Sequence, residues 1–135
     1  MKNLKKPTIP LIITSQILYI PVIIIILKKN FFNFKSILFI MFFATLFSIS
    51  HWTYTTSYFL FVVDNLLAKI AFFYTILKWH KLFRNKYAIA HFMTMILFYG
   101  LADISYKRGF TFWWLFHGLF HLFATIGISF FILIS

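Results

Sequence analysis

Five apolar runs dominate this chain and leave it few ways to fold. They cover residues 11–27, 37 to about 51, 58–77, 87 to about 102 and 111–134. Their lengths approach or exceed the roughly 17–25 residues that cross a bilayer as a helix. In lipid a helix bonds every backbone N–H and C=O within itself. That consideration outweighs the strand preference of the β-branched run 22–26. The expectation is therefore all-α: a polytopic transmembrane bundle of about five helices, forming one domain over residues 1–135. Charge agrees with this. Only 11% of residues are charged, against about 25% in a soluble domain.

Lys2, Lys5 and Lys6 precede the first run, as in a signal peptide. The run is long for such a segment and no small-x-small cleavage pattern follows, so we read a retained first helix. Pro21 should kink or break it. Residues 28–35 form a basic aromatic linker whose phenylalanines are expected along the interface, with Ser36 capping the second helix. Residues 48–57 are polar but uncharged. Residues 78–86 form the most basic turn, and 103–109 the next one.

The net charge is +11, with Asp64 and Asp103 the only acids. The cations cluster between the runs, where they meet headgroups and bias topology rather than contact nucleic acid. Five cations (Lys2, Lys5, Lys6, Lys107, Arg108) fall on one side and seven (Lys28, Lys29, Lys35, Lys78, Lys81, Arg84, Lys86) on the other. The second side is mildly favoured as cytosol or matrix. There is no cysteine, which excludes disulfides, iron–sulfur clusters and thiol nucleophiles. The 21 phenylalanines suggest an AT-rich genome.

Four polar residues in the apolar runs carry the functional reading. His117 and His121 are four apart, which places both imidazoles on one helix face. With five helices, His51 ends the second, Asp64 lies early in the third, and the histidine pair lies early in the fifth. All four then fall in the same leaflet. His91 and His80 come from the opposite side. Three histidines and a water make a common catalytic zinc arrangement, with a carboxylate to orient or activate the water. An ionisable residue within a span is a functional candidate by default. The bland alternatives are interhelical hydrogen bonds for the histidines and an Asp64–Lys69 pair. Haem would need a second axial imidazole from another helix or subunit, and no CxxCH for covalent attachment is present.

His117-Gly118-Leu119-Phe120-His121-Leu122-Phe123 resembles the last-helix motif of the hemolysin III and progestin/adiponectin-receptor families, grouped with alkaline ceramidases as membrane hydrolases. His51 matches that superfamily's early histidine, and Asp64 its aspartate in the next helix. The resemblance implies zinc held by His51, His117 and His121, with Asp64 and a serine near the reacting water, and hydrolysis of lipid amides or esters. The superfamily serine usually stands four before the early histidine, where this chain has Phe47. Ser48 is one residue later and Ser50 three later, and either is a candidate oxyanion donor. The superfamily usually has about seven helices; here there is room for about five.

A different class of function fits the same composition. Extreme phenylalanine use, no cysteine and a basic excess also suit a small non-catalytic subunit of a membrane complex, such as an organelle-encoded (mitochondrial) respiratory component. Its partners would be other membrane subunits and lipids.

Overall fold

The computed structural model describes residues 8–28, 31–54 and 57–135. Among them there are helices and no strands. α1 is Thr8–Gln16, α2 Ile20–Leu27, α3 Phe31–Thr53, α4 Tyr58–Lys78, α5 Lys86–Lys107 and α6 Trp113–Ile134. α1 and α2 are joined by a 3₁₀ turn and form one span, Ile9–Leu27, so five helices are long and apolar enough to cross a membrane. This is the architecture of a multi-pass integral membrane protein. Lys2, Lys5, Lys6, Lys29, Thr55 and Thr56 lie outside the described residues, as do the side chains of Phe31 and Phe32.

Local chemistry explains most helix ends. Proline has no N–H and its ring crowds the preceding turn. Ahead of Pro21 the chain tightens into the 3₁₀ turn Ile17–Tyr19, and Pro21 occupies the first turn of α2. Ser57 caps α4 by accepting from the Leu60 N–H at 3.3 Å, and Asn85 caps α5 by accepting from the Tyr87 N–H at 2.8 Å.

Two expected boundaries are corrected. α3 begins at Phe31, which leaves Ser36 in its exposed interior rather than at its cap. α5 runs past Ala102 to Lys107, so Asp103 is helical and pairs with Lys107 at 2.7 Å. The stop comes from Gly109 at φ 76°, a left-handed value that a side chain would strain. Its N–H donates to Tyr106 O at 3.1 Å and the Phe110 N–H to Ser105 O at 3.0 Å, a Schellman closure.

α3 packs along α4, and α5 along α6. The first span lies between the two pairs, against both α3 and α6. α4 and α5 end up at the two tips of the resulting arc. They meet through few side chains: Tyr99 Oη to Asn65 Oδ1 at 3.5 Å, and the Phe72 and Phe92 rings at 4.7 Å. The apolar core fills one end of the arc, with Ile25, Ile37, Met41, Trp79, Phe131 and Ile132 all buried. Phe34 belongs to it as well, 2% exposed with Lys28 and Lys78 over its ring, rather than lying along the interface. Large apolar side chains on the outer faces, such as Phe73 and Leu133, are exposed. Lipid tails are as apolar as these residues, so close packing, not hydrophobic burial, holds such helices together.

That end is also tied by polar contacts. Lys28 Nζ donates to the carbonyls of Ile132 (2.8 Å), Leu133 (3.4 Å) and Ser135 (3.0 Å). It thereby supplies a donor at the carboxyl end of α6, where backbone N–H partners run out. Lys78 Nζ donates to Asn33 O at 2.7 Å, and Trp79 Nε1 to Ser135 Oγ at 2.8 Å.

Candidate functional site

A cavity of about 510 Å³ lies inside the arc, mostly apolar and lined from α3, α4, α5 and α6, with Leu18 of the first span's 3₁₀ turn. Ser48, Asp64 and His121 line it toward one membrane face, Asn85 and Tyr87 toward the other.

α3 contributes Ser48 and His51, three apart and so on one helix face. Ser48 is 3% exposed, and its hydroxyl shares a 2.9 Å hydrogen bond with Ser15 of α1. It lines the cavity together with Asp64 of α4. Ser48 therefore faces the interior although it stands one residue from the position the resemblance implies. Ser50 is occupied on its own helix, donating to Leu46 O at 2.8 Å. His51 is 2% exposed; its ring lies 4.5 Å from Trp52 and 5.6 Å from Phe61 of α4.

α6 contributes His117 and His121, with ring centroids 4.7 Å apart and the planes near perpendicular. The Trp52 indole sits beside His117 at 5.1 Å, so Trp52 borders both His51 and His117. His121 Nδ1 lies 3.1 Å from Thr14 Oγ1 of α1.

The structure thus brings Ser48, Asp64, His117 and His121 to one region, with His51 at its edge beside Trp52. Among the described residues, no group of three or more His, Asp or Glu side chains is drawn tightly enough to hold a metal ion. The residue types alone are compatible with zinc. Three neutral imidazoles are the ligands catalytic zinc takes, with a nearby carboxylate to serve its water. The buried His51 Nδ1 and Trp52 Nε1 have no hydrogen-bond partner among the described residues. Leaving such an atom unbonded costs about 1–3 kcal/mol. Asp64 likewise has no cation partner there. Lys107–Asp103 is the ion pair among the described residues, so Lys69 does not neutralise Asp64.

Two contributors were not foreseen. Thr14 and Ser15 come from the first span, whose only hydrophilic stretch is Thr14-Ser15-Gln16. That stretch was the available signal. His91 also lines the cavity, away from the other histidines. Its Nε2–H donates to Phe123 O at 2.8 Å and its ring stacks on Phe123 at 5.1 Å.

Comparison with known proteins finds no matching family model, no matching curated protein and no matching solved structure.

Proposed function

We propose that this chain is a zinc-dependent intramembrane hydrolase acting on a lipid amide or ester. One observation carries the reading: His121, a carboxylate and a hydroxyl line one end of a largely apolar cavity between membrane spans, with His117 packed against His121 and Trp52 bordering both His117 and His51. Inside lipid such groups are kept where they have work to do.

In this reading His51, His117 and His121 would hold zinc. Zinc, when bound, supplies a Lewis acid that makes water nucleophilic at neutral pH. Asp64 would orient a water and take its proton during attack on the acyl carbon. Ser48 donates a hydrogen bond to the carbonyl oxygen as charge builds there; Ser50, already committed to Leu46, is the less favoured donor. The C–N or C–O bond then breaks, and the proton held by Asp64 passes to the leaving nitrogen or oxygen. The apolar walls hold the acyl chain, and a membrane lipid is the natural substrate.

The test is metal analysis of protein purified at neutral pH without chelator. About one zinc per chain is expected, with loss of that zinc in His121→Ala. Wild-type protein free of zinc would sink the reading.

A second reading, a non-catalytic subunit of a membrane complex such as an organellar one, draws on His121 and His91 each being bonded to protein. Under it the chain co-purifies with a large assembly and carries no metal.

A further inference from the structure

We infer that Thr14 is a positioning residue for His121, its hydroxyl holding the imidazole in the tautomer protonated on Nδ1 so that Nε2 keeps a free lone pair.

A threonine hydroxyl has one hydrogen to give. Thr14 Oγ1 gives it to Leu11 O, one turn back, at 3.2 Å. Leu11 O can only accept, and a helical threonine ordinarily gives its proton to a carbonyl one turn back. Toward His121 Nδ1, 3.1 Å away, Thr14 Oγ1 can then only accept. The proton of the neutral ring lies on Nδ1, and Nε2 is left as the unprotonated nitrogen. His121 is 3% exposed and lines the cavity, so no bulk water competes for this arrangement. A hydrogen bond on one ring nitrogen is how proteins orient an imidazole ligand through the other.

The surrounding sequence makes room for the contact. A Cβ on Gly118 would meet Thr14 Cγ2 at 3.3 Å. The glycine between the two histidines thus lets α1 approach the face of α6 that carries His121.

What the free nitrogen serves rests on the zinc reading; the tautomer does not. The experiment uses full-length protein in micelles, metal-free, with ¹⁵N-labelled histidine, and His121 assigned by its loss in His121→Gln. Long-range ¹H–¹⁵N correlations tell the protonated ring nitrogen from the bare one. Wild-type His121 is expected to be protonated on Nδ1. Thr14→Val, similar in shape but without the hydroxyl, should lose that preference and bind zinc about 10- to 100-fold more weakly. Thr14→Ser should restore both. Wild-type His121 protonated on Nε2 overturns the inference, as does a Thr14→Val protein with an unchanged tautomer. Wild-type protein with the Nδ1–H pattern but no affinity for zinc upholds the tautomer and removes the zinc reading instead.

Discussion

The hydroxyls of Ser15 and Ser48 bond to each other at 2.9 Å, both side chains buried, and so join the first span to α3 at the cavity that Asp64 also lines. Each hydroxyl would otherwise face an apolar interior. Ser15→Ala and Ser48→Ala should each lower stability by about 0.5–2 kcal/mol, the range for interhelical hydrogen bonds and unsatisfied hydroxyls. The double variant should cost less than the two single losses added together. Unfolding in mixed micelles measures all three, and strict additivity would refute the coupling.

Gly127 and Gly118 make a graded pair. A Cβ at 127 would fall 2.9 Å from His91 Nε2, and His91 is held there by its bond to Phe123 O and its stacking on Phe123. Gly127→Ala must displace the ring and break that bond, at about 1–3 kcal/mol. At 118 the nearest atom is a threonine methyl at 3.3 Å, which can yield slightly. Gly118→Ala is expected to destabilise less, and equal shifts in melting temperature would contradict this ordering.

Lys28 bonds three carbonyls at the end of α6. Lys28→Met keeps the stem but removes the donors. We expect faster hydrogen exchange in residues 131–135 and a loss of about 1 kcal/mol, with Lys28→Arg recovering part of it. Exchange unchanged in that segment would show the contacts to be dispensable.

Asp64 separates metal binding from turnover. In the hydrolase reading it serves the water and is not a ligand. Asp64→Asn should therefore keep zinc and fold while lowering hydrolysis of a fluorescent N-acyl lipid about 10²- to 10⁴-fold. An Asn variant with full activity would remove Asp64 from the chemistry.

Helix number and type were readable because lipid leaves a long apolar run little choice. Pro21 was readable too, since a missing N–H acts wherever it falls. Ser36 misled because several residues near it can start a helix, and packing of Phe34 and Ile37 carries α3 further back. Asp103 misled because its charge suggested a turn. Paired with Lys107 one helical turn away, it sits comfortably within α5, and Gly109 marks the stop instead. In the site, the leaflet shared by His51, Asp64, His117 and His121 followed from counting helices. The parts played by Thr14 and Ser15 did not, because they depend on which helix lies beside α3 and α6. Connectivity along a chain does not specify that neighbour.

The first span touches the last helix, and this has a consequence for biogenesis. α1 and α3 enter the membrane early, bringing Thr14, Ser15, Ser48 and His51, but His121 arrives only with α6, which is synthesised after them. Until then Thr14 and His51 lie in a half-built bundle whose polar surface has not been closed. A chain stalled or truncated before α6 would display that surface to lipid, where a membrane quality-control protease or insertion chaperone can read it as unfinished.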